Sequence, residues 1–100
     1  MANSDNYVAS VSAVNWFDAS HNLHIRVYTS DGNTVTERCM DQGNSSWTTG
    51  AFSQPGVACA ATAWVDSAGS HIRVYVLNDG ITEWCMDPGG SWTQGSYTPS

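Results

Sequence analysis

Apolar and polar residues alternate in short runs along the chain, and no stretch keeps the 3.6-residue apolar spacing of a helix. In one run Ile25 and Val27 point one way while His24, Arg26 and Tyr28 point the other. In the next, Val35, Glu37, Cys39 and Asp41 share a face opposite Thr36, Arg38 and Met40. The runs are rich in Val, Ile, Thr, Tyr and Trp and are bounded by Asp-Gly or Gly-rich turns. They predict strands at about 11–17, 23–29, 34–41, 46–52, 60–65, 71–77, 81–87 and 91–97, an all-β chain.

The eight runs are two copies of four. His-Ile-Arg-Val-Tyr occupies both 24–28 and 71–75. Thr36-Glu37 recurs as Thr82-Glu83, Cys39-Met40-Asp41 as Cys85-Met86-Asp87, and Ser46-Trp47-Thr48 as Ser91-Trp92-Thr93. Length differences between the copies fall at Asp31-Gly32, Asp79-Gly80, Gly43 and Gly89-Gly90, where turns absorb them. The organisation expected is an N-terminal extension over 1–9, one repeat over 10–53 and a second over 54–100, joined near Ser53-Gln54-Pro55-Gly56. Four short antiparallel strands in about 40–45 residues is the pattern of a β-propeller blade. Two blades cannot close a ring of roughly four to eight, so such a chain completes its ring by oligomerising. A self-contained eight-stranded sandwich or barrel is the alternative that spacing leaves open.

Composition narrows the partners. The 100 residues carry nine acidic groups against three cations, Arg26, Arg38 and Arg73, for a net charge of −6. That balance disfavours a nucleic-acid partner. No apolar run approaches the length of a membrane-spanning helix. The stretch Met1-Ala2-Asn3-Ser4-Asp5 lacks the basic and apolar blocks of a signal peptide, which leaves secretion undecided. A soluble protein is expected, its compartment open. Three cysteines cannot all pair, so buried thiols are expected rather than a disulfide framework. Cys59 has no cysteine counterpart in the other copy.

The candidate chemistry sits where the copies agree. Strand alternation places Arg26 near Glu37, and Arg73 near Glu83, using two of three cations at equivalent positions. One reading is a buried ion pair fixing the blade, although apolar residues usually serve stability there at least as well. The other is a polar clamp on a cleft: a planar fork of donors beside an acceptor suits adjacent hydroxyls, as in a sugar. Met40 with Trp47, and Met86 with Trp92, fall on the opposite blade face. A neighbouring blade would then set an apolar, aromatic wall across from the polar one, although packing alone would also account for these residues.

These motifs resemble the fucose-binding β-propeller lectins of the Aleuria aurantia type, in the short two-repeat form of the Ralstonia solanacearum and Burkholderia ambifaria lectins. The resemblance is carried by Ile25-Arg26-Val27-Tyr28, Thr36-Glu37-Arg38-Cys39 with Asp41, and Trp47 with Gly50-Ala51-Phe52. Ile72-Arg73-Val74-Tyr75, Thr82-Glu83-Trp84-Cys85 with Asp87, and Trp92 with Gly95-Ser96-Tyr97 carry it in the second copy. It implies a homotrimer closing a six-bladed propeller, with sugar sites between blades. Within the chain, Arg26 and Glu37 would bind hydroxyls and ring oxygen, facing Met86 and Trp92. Across subunits, Arg73 and Glu83 would face Met40 and Trp47 of a neighbour. Ala51 and Ser96 match a small residue lining the family's pocket. The residue after each Cys is usually Trp in these lectins and is Met at 40 and 86 here. Fucosylated glycans are the implied partners, bound multivalently, with no cofactor.

Three other readings compete. A glycosidase needs two carboxylates roughly 5–9.5 Å apart. Asp41 and Asp87 share the face of Glu37 and Glu83 but lie roughly 13 Å along the strand at ~3.3 Å per residue, where fixing the next turn is the expected role. A metal site from Cys39 or Cys85 with His24 or His71 lacks ligand spacing. A ligand-free structural oligomer is the third. Asn44-Ser45-Ser46 matches a glycosylation triplet and is assigned no role.

Overall fold

The computed structural model describes residues 8–99, so the expected extension over 1–9 lies outside the described residues as far as residue 7. Eight strands follow in order: β1 Ser10–Phe17, β2 Leu23–Ser30, β3 Thr34–Asp41, β4 Thr48–Pro55, β5 Ala58–Asp66, β6 Gly69–Leu77, β7 Ile81–Met86 and β8 Thr93–Gln94. No helix occurs among the described residues. The strands form two antiparallel sheets, β1-β2-β3-β4 and β5-β6-β7-β8, each a simple meander.

The strand ends depart from the alternation pattern for local reasons. β4 continues to Pro55, which pairs with Thr34. β4 is an edge strand, where a missing N–H is tolerated. The crossing between sheets therefore shrinks to Gly56-Val57. Gly56 is buried, and a Cβ there would strike the Val76 side chain. β8 keeps only two residues: after Gln94 the Gly95 N–H bonds the Glu83 carbonyl, and Tyr97 N–H bonds the Glu83 carboxylate.

The sheets stack with β1 and β5 innermost. Ser10 and Ser12 hydroxyls accept the Cys59 and Ala61 N–H groups at 3.1 and 3.0 Å. Cys59 thus has a packing place: its thiol lies against the Ser10 hydroxyl and the Tyr28 carbonyl. The core joins Tyr28, Val35 and Phe52 of the first sheet to Ile72, Val74 and Val76 of the second. Full burial of side chains of this size contributes about 1.5–3 kcal/mol each.

Every sheet has two unlike faces. One carries the Arg, Tyr and Glu of its second and third strands. The other carries the Ile and Val of the second strand with the Met and Trp. Within the chain, the Arg face of the first sheet meets the Met face of the second. The Arg face of the second sheet and the Met face of the first stay uncovered, exposing Trp47, Leu77, Ile81 and Tyr97.

Candidate functional site

Register builds the polar wall. Across β2 and β3, Tyr28 pairs with Glu37, Arg26 with Cys39 and His24 with Asp41, while Trp16 on β1 lies opposite His24. Arg26 sits diagonally between two carboxylates and takes Asp41. Its Nη1 donates to Asp41 Oδ1 at 2.8 Å and to the Ile25 carbonyl at 3.0 Å. The guanidinium lies over the Trp16 ring, 5.0 Å from its centroid. His24 stacks on the same ring and places its two nitrogens 2.7 Å from Asp41 Oδ1 and 2.9 Å from Asp18 Oδ2. With Nη1 committed to protein acceptors, the remaining guanidinium N–H groups are available to the cleft that Arg26 lines.

The buried Arg26–Glu37 ion pair, one of the two readings of the sequence, is not formed: Arg26 pairs with Asp41 instead, and the Asp41 and Asp87 side chains brace Arg and His rather than the following turn. Glu37 is held separately. It is 4% exposed and accepts the Tyr28 hydroxyl at 2.6 Å. Phe52 N–H approaches its other oxygen at 3.4 Å. A register shift between Thr36 and Arg38 folds β4 around this carboxylate, and Gly50 is required there because a Cβ would occupy the carboxylate's own space.

Opposite stand Ile72, Met86 and Trp92 of the second sheet. They enclose with Arg26, Glu37 and Ala51 a cleft of about 270 Å³. A larger void of about 570 Å³ adjoins it at the β1–β2 and β5–β6 hairpins, sharing Trp16, Arg26 and Ser70. Glu37 and the apolar wall belong to the smaller cleft, which combines directed polar groups with an apolar surface.

The second sheet repeats the polar wall. Arg73 Nη1 donates to Asp87 at 2.8 Å, and its guanidinium lies 4.9 Å from the Trp64 centroid. His71 bridges Asp87 and Asp66 at 2.7 and 2.9 Å. Tyr75 donates to Glu83 at 2.8 Å. Within one chain, however, Arg73, Glu83 and Ser96 are not brought together with Met40 and Trp47, which lie on the other outer face.

The electrostatics follow the contacts. The Asp18 carboxyl is pulled down to about 2 by its bond to His24 and by the Asn22 N–H. His24 is raised above its usual value, chiefly by Asp18 and also by Asp41, against burial. Burial works to raise Asp41, but His24 and Arg26 outweigh it and the net shift is downward. His71 is raised by Asp87 and then Asp66. Burial, then the bond to Glu37, push the Tyr28 hydroxyl far up, keeping it a neutral donor. Among the described residues, no three His, Cys, Asp or Glu side chains group as metal ligands.

The bracing role that Trp16, Asp18, His24 and Asp41 share does not follow from strand alternation. A signal was present: Trp-x-Asp recurs as Trp16–Asp18 and Trp64–Asp66, each ahead of His-x-Arg and a Cys-Met-Asp. Each residue alone looks like ordinary strand or turn chemistry; only the doubled constellation marks it.

Two four-stranded meanders stacked face to face, with a mixed polar and aromatic cleft between them, form a propeller-type half-unit. The chain belongs to the family described as fungal fucose-specific lectin, whose model matches residues 2–95. Among solved structures it is similar to a fucose lectin from Kordia zhangzhouensis in complex with methyl-fucoside, with 38% identity and a TM-score of 0.75. The match covers 88% of this chain and 64% of that one, so the chain spans less than two thirds of that lectin's length. Comparison with curated proteins finds no match.

Proposed function

We propose that this chain is a lectin binding L-fucose and fucosylated glycans in the clefts between blades, without chemistry. The observation that carries the reading is the pairing of unlike walls in one cleft: Arg26 and Glu37 on one side, Ile72, Met86 and Trp92 on the other. A 6-deoxy sugar has the matching surfaces, hydroxyls on one edge and a methyl with C–H patches on the other. Arg26 donates from its uncommitted N–H groups, Glu37 accepts, and Met86 and Trp92 cover the apolar side. Ala51 borders the cleft without adding a polar group.

Binding rather than hydrolysis fits the carboxylates. Glu37 is the one carboxylate among the described residues lining the smaller cleft. The neighbouring Asp41 is tied to Arg26 and His24, whereas a glycosidase uses two free ones across one bond.

The second site is proposed to form between copies, Arg73, Glu83 and Ser96 of one chain meeting Met40 and Trp47 of the next. A head-to-tail contact of this kind repeats until a ring closes, and a homotrimer with six blades is the proposed assembly. Its proposed domains are the two blades, the boundary expected at 53/54 moving to Gly56-Val57 because β4 runs to Pro55. Titration calorimetry with methyl fucoside tests the reading. Saturable binding that is lost in Arg26→Ala combined with Arg73→Ala supports it; a folded protein indifferent to fucosides and to a glycan array overturns it.

A further inference from the structure

The uncovered faces carry a matched plug and slot. Inside the chain, Phe52 of the first sheet is seated between Trp92 and Trp84 of the second, at centroid distances of 4.7 and 6.5 Å. The repeat equivalences transfer this joint to the outer faces. Phe52 corresponds to Tyr97, Trp92 to Trp47, Val74 to Val27, and Trp84 to Arg38. The outer slot is present: Val27, Arg38 and Trp47 line an open cavity of about 380 Å³ on the Met face of the first sheet. The plug is present too: Tyr97 is 45% exposed on the Arg face of the second sheet, 5.5 Å edge-on to Tyr75, where Phe52 stands 5.7 Å edge-on to Tyr28.

We infer that Tyr97 of one copy seats in the Val27–Arg38–Trp47 slot of the next, so that the joint between copies is a cation–π contact where the joint within the chain is aromatic on aromatic. The inference rests on the proposed site shared between copies and says how those copies hold together. Arg38 is already oriented for it. Its guanidinium donates to the Thr49 hydroxyl at 3.1 Å and to the Trp47 carbonyl at 3.4 Å, which holds it at the slot that Trp47 also lines. A guanidinium over a tyrosine face is favourable and more so once water is excluded.

A second difference points the same way. Ser10 and Ser12 bind backbone N–H groups of β5 within the chain, and their counterparts in the second repeat are Ala58 and Ala60. The joint between copies therefore lacks both inner-strand hydrogen bonds as well as the Trp84 ring. It is the weaker, more polar of the two joints, and the assembly opens there first.

The test is sedimentation of the full chain across concentration and salt, with methyl fucoside stoichiometry measured alongside. Arg38→Ala and Tyr97→Ala should each raise the half-assembly concentration, and the double variant should rise no further than the worse single, a coupling of about two- to thirty-fold. Arg38→Trp, which restores the pairing used inside the chain, should assemble at lower concentration and with less salt dependence. Dissociated Tyr97→Ala should keep one fucoside per chain, because the plug lies outside the intra-chain cleft. Additive effects of the two alanine substitutions, or an unchanged midpoint, would overturn the joint while leaving the shared site standing. A wild-type chain that stays at 10.7 kDa at every concentration overturns the shared site itself.

Discussion

Tyr28 provides a test of how the cleft's acceptor is held. Tyr28→Phe removes a single oxygen from a fully buried ring and leaves its packing against Phe52 and Trp92 in place. What it takes away is the 2.6 Å hydrogen bond to a carboxylate that is itself 4% exposed. The remaining protein donor is the Phe52 N–H at 3.4 Å, a long bond. A hydrogen bond to a charged group contributes about 1.5–3 kcal/mol, and orphaning a buried charge adds to the loss. A destabilisation of about 2–3 kcal/mol is expected. Urea unfolding reads it as a midpoint drop of roughly 2–3 M if the slope is about 1 kcal/mol/M, the low end for small domains. Glu37→Gln in the Tyr28→Phe background should cost much less than in the wild type, since the two share one interaction. Fucoside affinity at the intra-chain site should fall as well, because the acceptor is no longer fixed. A stability loss under about 0.5 kcal/mol, the size of an ordinary surface change, or strictly additive effects of the two substitutions, would refute the reasoning.

Three further outcomes follow from the same geometry. His24 and His71 are raised above their usual 6.5 by paired carboxylates, so their contribution is complete below about pH 6.5 and is lost as pH rises through the raised values. The Asp18 contribution is complete above its usual 3.8 and is lost as pH falls through about 2. Melting temperature should therefore decline from pH 6 toward 9, and His24→Asn with His71→Asn should flatten that decline; an unaltered slope contradicts the assignment. Gly50→Ala forces the Glu37 carboxylate from its place, at about 1–3 kcal/mol of overpacking, and calorimetry should show one of two fucoside sites lost. Met86→Trp should tighten the intra-chain site roughly fivefold, as an added aromatic contact of about 1 kcal/mol would; unchanged affinity with an intact fold counts against the Met86 wall.

Much of the scaffold was legible because it is written twice. The repeated His-Ile-Arg-Val-Tyr and Cys-Met-Asp segments fix strand identity and facing, and alternation alone sends Arg26 and Glu37 to one side and Met86 and Trp92 to the other. That suffices to put all four on one cleft once the sheets stack. Strand ends were less legible. Pro55 remains in β4 because an edge strand forgives it, and β8 stops early because Gly95 and Tyr97 turn to bond Glu83. The choice of Asp41 over Glu37 by Arg26 was not legible either. Both carboxylates are diagonal neighbours, and the outcome depends on His24 and Trp16 holding Asp41 and the guanidinium in place while Tyr28 claims Glu37.

Both polar walls lie toward the same strand ends, beside the β1–β2 and β5–β6 hairpins, where Asp18 and Asp66 reach His24 and His71. Turning a blade about a common axis never inverts it. In the proposed head-to-tail ring, every copy's polar wall would therefore lie toward the same side, like suckers on one palm. Under the proposed lectin function, such a ring would meet a glycan-coated membrane with that side and engage many chains at once, its opposite side left bare.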